Sequence, residues 1–290
     1  MFDAVFPSDV GPSDVGPSDA APRLQRARGV LDVTLRRRGE ETVLANLRQE
    51  GCLKARFPRG GAPGWRDVVV LNSSGGIVGG DQLNLHFRIQ DGAQACLAAQ
   101  ATERVYRARP DSPPAAVRTA ITLDPGAAAE WLPQETILFD GARLDRGLAV
   151  EMPVDGWFLG VESLLFGRAA SGETLRHGRL RDAIRIRRGG RLLLHDAVRL
   201  AGDITALLAR PGVAAGAGAV ATIVYVAPNA EAHLPSVRDV LDGTDSGASA
   251  WDGMLLARLL ARDGAGLRLM VTRALAALRG ARNLPRVWRC

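Results

Sequence analysis

The stretch Leu71-Asn72-Ser73-Ser74-Gly75-Gly76-Ile77-Val78-Gly79-Gly80-Asp81 decides how this chain is read: two glycine pairs bracket an Ile-Val step and end on an acid. Paired glycines permit positive φ or close backbone approach. Asp67 to Leu71 before them and Leu83 to Phe87 after them have strand character. Two strands therefore meet through a tight, glycine-bent connection that presents Asp81. A phosphate loop would need Gly-Lys-Ser/Thr at its end, and a dinucleotide fingerprint needs G-x-G-x-x-G before a helix; neither spacing occurs. A bulged sheet corner with a solvated Asp81 fits the same residues.

Outward from this corner the pattern stays strand-like. Upstream, Gly29 to Leu35 alternates, Arg36 to Glu40 makes a charged turn, and Glu41 to Leu47 returns. Cys52 to Pro58 alternates again before a Gly/Pro loop over 59–64. Downstream, strands are expected at 86–90, 93–102, 119–123, 128–132, 137–139, 142–150, 157–166, 178–187, 191–200 and 219–226, with turns such as Asp91-Gly92 and Asp124-Pro125-Gly126 between them. A recurrence of about 8 to 12 residues is meander spacing. Helical periodicity is confined to the C-terminal part: Pro235 to Leu241, with Pro in the first turn, and Gly266 to Gly280, with an i, i+3, i+4 stripe from Leu267 to Leu278. Met254 to Arg262 suits a helix or a strand, and the Trp251-Asp252-Gly253 turn ahead of it favours a strand.

At 290 residues and 47% hydrophobic content the chain can bury a substantial core. Residues 1–23 are different: the Pro-Ser-Asp-Val-Gly repeat over Pro7 to Ala20 cannot assemble an apolar face and reads as a disordered leader. A single domain is expected over residues 24–290. The net charge of +6 comes almost wholly from arginine, since Lys54 is the one lysine, and the runs are short and lack interleaved aromatics. Nucleic acid is therefore not an expected partner. Cys52, Cys96 and Cys290 are odd in number and lack C-x-x-C spacing, which argues for a reducing compartment and against a preformed zinc site. With no secretory pattern and no apolar run near the roughly 20 residues of a membrane span, a cytoplasmic location is expected.

In order along the chain stand Gly75-Gly76-Ile77-Val78-Gly79-Gly80-Asp81, Ala101-Thr102-Glu103-Arg104-Val105-Tyr106-Arg107, and the block from Glu130-Trp131-Leu132-Pro133-Gln134-Glu135 to Phe139-Asp140-Gly141-Ala142. Glu162 to Arg168 runs into Ser171-Gly172-Glu173 and His177-Gly178, and Leu284-Pro285-Arg286-Val287-Trp288 closes the series. This order resembles the urease accessory protein UreD family, called UreH in some systems, over roughly Leu24 to Arg289. Asn72-Ser73-Ser74 departs from the proline-containing approach frequent in that family, and the leader has no counterpart. The resemblance implies a mainly β fold of antiparallel, helically stacked, β-helix-like strands with a few C-terminal helices. It also implies a non-enzymatic role: binding urease apoprotein and joining UreF and, through it, the GTPase UreG, with UreE involved indirectly, so that nickel enters the urease active site. No cofactor is expected to be tightly bound, and Ni2+ would be a transient cargo.

Such a cargo calls for weak, exchangeable ligands, which carboxylates supply better than a closed thiolate cage. Asp81, Glu103, Glu162, Asp196 and His177, the last beside Glu173, are the candidates for a nickel route. Glu162 is the sharpest, because Trp157 to Phe166 is otherwise apolar and an unpaired charge there costs several kcal/mol. An internal ion pair with an arginine is the alternative. Asp81 and Glu162 are expected to matter for activation more than for folding. Tyr106, Arg107, Glu135, Arg168 and Trp288 are candidates for partner contacts, through guanidinium forks and aromatic anchors. A β-rich metal-dependent hydrolase and a carbohydrate or nucleic-acid binding module are the competing functions. For the hydrolase, the sequence has no G-x-S-x-G elbow and no H-E-x-x-H. For the binding module, it has five Trp and two Tyr, mostly inside apolar blocks.

Overall fold

The computed structural model describes residues 25–168, 172–280 and 282–288. The leader expected over 1–23, and Cys290, lie outside the described residues. The strands are β1 (Arg28–Arg38), β2 (Glu41–Gly51), β3 (Leu53–Arg56), β4 (Trp65–Asn72), β5 (Gln82–Ile89), β6 (Gln94–Ala99), β7 (Glu103–Val105), β8 (Ala115–Leu123) and β9 (Ala128–Leu132). They continue as β10 (Thr136–Leu138), β11 (Arg143–Met152), β12 (Trp157–Arg168), β13 (Glu173–Thr174), β14 (His177–Arg188), β15 (Arg191–Asp203), β16 (Ala219–Val226), β17 (Gly247–Trp251) and β18 (Met254–Ala261). Three helices, α1 (Ile204–Leu208), α2 (Leu234–Leu241) and α3 (Gly264–Arg279), lie toward the C-terminus.

Two sheets face each other. The first runs β15-β14-β11-β8-β5-β1-β2, and the second runs β17-β18-β16-β12-β9-β6-β4-β3 with the short β7, β10 and β13 attached. Between β4 and β14 the chain winds as a stack, crossing from one sheet to the other at each turn, so equivalent strands of successive coils pair in parallel. This holds for β5·β8, β8·β11 and β11·β14 in the first sheet and for β4·β6, β6·β9 and β9·β12 in the second. Ile77, β7 and β10 form a narrow third row, also parallel.

The β-rich, helically stacked expectation holds, but the antiparallel one is corrected: the sheets are mixed. Antiparallel pairs flank the stack, at β1·β2, β3·β4, β14·β15 and β12·β16·β18·β17. A turn such as Asp91-Gly92 has the same chemistry whether the next strand folds back beside its predecessor or crosses to the opposite sheet. Local spacing therefore reads as a meander where the chain is winding.

Alternation fixes which side chains face inward. Leu31, Leu35, Phe87, Ile89, Ile121, Leu144 and Phe158 meet between the sheets. A second apolar layer packs Leu159, Val161, Ile223, Leu255 and Leu259 of the second sheet against Leu267, Val271 and Leu275 of α3 and Val237 of α2. Asp263 caps α3 by accepting from Gly266 N at 2.8 Å, and Gly280 ends it at φ 60°. β18 is a strand, as its preceding turn suggested. It pairs with β16, and apolar layers meet both its faces, Leu255, Ala257 and Leu259 on the helix side and Met254, Leu256 and Leu260 on the inter-sheet side, which is why its apolar run does not alternate. Helix α1 was not expected. Its five residues are too few to show a period, and it is held by Asp203 accepting from Ala206 N.

Candidate functional site

The glycine corner carries the chain from β4 in one sheet to β5 in the other. A Cβ at Gly76, whose φ is 137°, would strike the Tyr106 ring, and one at Gly79 would lie 2.7 Å from Ala108 Cβ. At the head of the corner Asn72 Oδ1 accepts from Ser74 N at 3.1 Å and fixes the turn. Asp81 closes the corner: it is buried, and its two oxygens accept from Ala27 N and Val78 N, each at 2.8 Å. The carboxylate is thus a brace tying β1 to the loop. Against the expectation that it contributes little to folding stand these two bonds, since removing the carboxylate orphans two backbone donors.

Inside the corner, between the sheets, lies a cavity of about 300 Å³ walled by apolar residues such as Leu83, Leu85 and Leu144 and lined also by Glu103, Trp131, Arg146 and Glu162. Glu162 shares the inward parity of Phe158 and Leu164 on β12. Its Oε1 accepts from Trp131 Nε1 at 2.8 Å. Arg146, on the inward side of β11 with Leu144 and Leu148, reaches across the gap and brings Nη1 to 2.8 Å from Glu162 Oε2. Its Nε and Nη2 hold Asp182 of β14 at 2.9 and 2.7 Å, and Nη1 donates to Thr136 Oγ1 at 2.9 Å. Nη1 stands beside Oε2 without aiming an N–H along the line between them, so Oε2 has a charged neighbour at 2.8 Å but no aligned hydrogen bond among the described residues. The internal-ion-pair alternative for Glu162 therefore holds: Oε2 faces Arg146 and Oε1 accepts from Trp131.

Electrostatics follow burial. Desolvation pushes the Glu162 carboxyl up to about 6, aided by the charge of Asp182 and opposed by Arg146 and the Trp131 hydrogen bond. Burial pulls Arg146 down, but Asp182 and Glu162 more than reverse this and keep it charged. Glu103, at the same cavity, is raised chiefly by burial despite accepting from Asn72 Nδ2 at 3.1 Å. Burial also raises the Cys52 and Cys96 thiols, so neither is a ready thiolate ligand.

The other candidates are dispersed. Asp196 pairs with Arg258 at 2.8 Å across the sheets, away from the cavity lining. His177 is exposed, and its backbone N–H, with that of Arg176, donates to Asp140. Arg107 pairs with Asp140 at 2.7 Å, and Arg168 pairs with Glu173 at 2.8 Å and lies over the Phe139 ring. Tyr106 donates to Gly75 O at 3.1 Å and packs on Phe139, so it supports the corner. Glu135 and Trp288 are internal, which leaves no surface on them for a partner. Arg268 bonds Glu135 and Trp288 O and lies over the Trp288 ring, while Trp288 Nε1 donates to Leu132 O at 3.0 Å. Among the described residues no group of three or more His, Cys, Asp or Glu side chains converges as a metal site.

Sequence reasoning missed Arg146 and Asp182, although the alternations Leu144-x-Arg146-x-Leu148 and Leu180-x-Asp182-x-Ile184 point both inward. It also passed over Glu130, which is fully buried and held by Arg279 through two bonds of 2.8 Å and by Arg282 at 2.9 Å.

Comparison with known proteins gives one answer. The family model described as UreD urease accessory protein matches residues 27–289. The urease accessory protein UreD of Xanthobacter autotrophicus is 45% identical over 266 residues, covering 91% of this chain and 90% of that protein. Those of Methylobacterium sp. and Azorhizobium caulinodans are 45% and 43% identical over 259 and 269 residues, covering 86% and 92% of this chain and 90% and 98% of theirs.

Proposed function

The chain belongs to the UreD family of urease accessory proteins, and on that premise we propose that it is a non-enzymatic scaffold for urease maturation and a passage for the metal. In this reading it binds urease apoprotein in the cytoplasm and joins UreF and, through UreF, the GTPase UreG, with UreE feeding the assembly indirectly. Ni2+ crosses it by way of the cavity between the sheets.

The observation that carries the reading is Glu162, a buried carboxylate on the cavity wall whose Oε2 has the Arg146 guanidinium 2.8 Å away but no aligned hydrogen bond among the described residues. A divalent cation entering the cavity would share this oxygen with Arg146, and a single carboxylate so shared, with Glu103 also on the wall, binds it weakly enough to release it. The Arg146 charge opposes retention, as a conduit requires and a storage site does not. The thiols, held protonated by burial, add no trap. Among the described residues a hydrolase reading has no nucleophile and base hydrogen-bonded together in the cavity to support it.

Co-purification tests the scaffold. The full chain recovered with urease apoprotein and UreF from cells producing all of them supports it; turnover of a substrate by the isolated chain contradicts it.

A further inference from the structure

The first sheet has one covered face and one open face. Helices α2 and α3 pack on the second sheet, and Ile204 and Leu208 of α1 join the core between the sheets. Among the described residues nothing covers the outward side of β8, β11, β14 and β15, although parallel sheets are seldom left bare.

That side has a small-residue floor. Gly147, Ala183 and Ala197 stand side by side as one outward row, and Ala120 and Ala149 adjoin Arg185 in the next, so small residues separate the arginines of neighbouring rows. Seven arginines project from the outward positions of these four strands against three acids, Asp145, Glu151 and, at the end of β15, Asp203. The excess accounts for most of the chain's net charge of +6. Asp145 is shared by Arg118 and Arg181, at 2.8 and 3.0 Å, and Arg179, Arg185 and Arg199 have no acidic partner among the described residues.

The register makes this arrangement costly. Arg181 stands directly opposite Arg199, Arg185 opposite His195, and Arg143 beside Arg179. Like charges facing across strands destabilise a sheet, and Asp145 offsets this only at Arg181 and Arg118.

We infer that this face docks an acidic surface of a folded protein partner, whose carboxylates take the unpaired guanidinium forks of Arg179, Arg185 and Arg199. Four strands at the usual spacing and ten residues of their length give on the order of 600 Å², close to one partner's share of a stable interface. Flatness favours a broad protein surface over a threaded strand of nucleic acid, because no Phe, Tyr or Trp stands among the outward residues as a stacking platform.

The inference rests on the scaffold reading, and the test separates the two. Binding of purified urease apoprotein to the full chain is measured against salt for the wild type, for Arg179→Glu/Arg185→Glu/Arg199→Glu, and for a control reversing the exposed Arg36, Arg38 and Arg210, with melting followed for each. The expected result is a loss of at least tenfold in affinity and a flatter salt dependence for the first triple variant only, with unchanged melting. Equal affinity of that variant and the wild type overturns the docking face and leaves the scaffold intact. No binding by the wild type overturns both, and salt-sensitive binding to a 20-base-pair DNA duplex in place of the apoprotein overturns this inference in favour of nucleic acid.

Discussion

Arg146 Nη1 lies 2.8 Å from Glu162 Oε2, an ion pair that spans the cavity from β11 in one sheet to β12 in the other. The same guanidinium holds Asp182 through its other two nitrogens, so one buried cation serves two buried acids. Replacing it strands both. Arg146→Met should destabilise the protein by about 3 to 5 kcal/mol in urea unfolding, the range for removing one partner of a buried pair. Arg146→Lys should fall between, because an ammonium keeps the charge and loses the fork.

Glu162 itself should behave in the opposite way. Its folded carboxyl titrates near 6 against an ordinary 4.5, so the folded state holds the proton longer than the unfolded one. Stability from this group is therefore present below about pH 4.5, is lost as pH rises to about 6, and stays lost above. Glu162→Gln removes that penalty while Arg146 keeps Asp182, and should leave stability at pH 7 unchanged or raised by up to on the order of 2 kcal/mol. Glu103 and Asp67 are shifted the same way by burial, so the measurement is the difference between wild-type and variant melting curves across pH 4 to 8.

Asp81 is a test of the corner rather than of the cargo. Asp81→Asn replaces one of two acceptor oxygens by an amide that faces a backbone donor. A loss of roughly 1 to 3 kcal/mol is expected, with Asp81→Ala at least as severe. Unchanged melting of both variants would mean that the two bonds to Ala27 and Val78 contribute nothing.

Trp288 should prove to be a staple. Truncation to Ala removes a buried indole, its bond to Leu132 O and the ring beneath Arg268, and should cost about 3 to 5 kcal/mol whether or not a partner is present. A Trp288→Ala chain that melts normally and fails only to bind would restore it as an interface anchor.

The sequence made the elements legible and the pairing obscure. Alternation at Leu83 to Phe87 or Leu144 to Val150 reports which side faces inward, and it does so equally for a hairpin and for a coil of a stack. What joins β5 to β8, some 30 residues on, is the course of the chain through the opposite sheet, and no local residue encodes it. Within the site, Glu162 stood out because an acid interrupts an apolar run. Arg146 and Asp182 did not, because strands with exposed arginines and acids surround them, and only parity separates the inward pair from its solvated neighbours. Glu135 and Trp288 misled for the converse reason: Arg268, more than 130 residues away in the chain from Glu135, covers both.

The most direct measurement is the nickel content of urease matured at limiting nickel with Glu162→Gln in place of the wild-type chain. If the inter-sheet cavity is the passage, the variant should melt at least as high as the wild type and bind urease apoprotein and UreF equally. The urease it yields should carry less than half the nickel per active site. Urease with full nickel and full activity from the variant, under the same limiting supply, would contradict the passage and leave this chain acting through its outer surfaces alone.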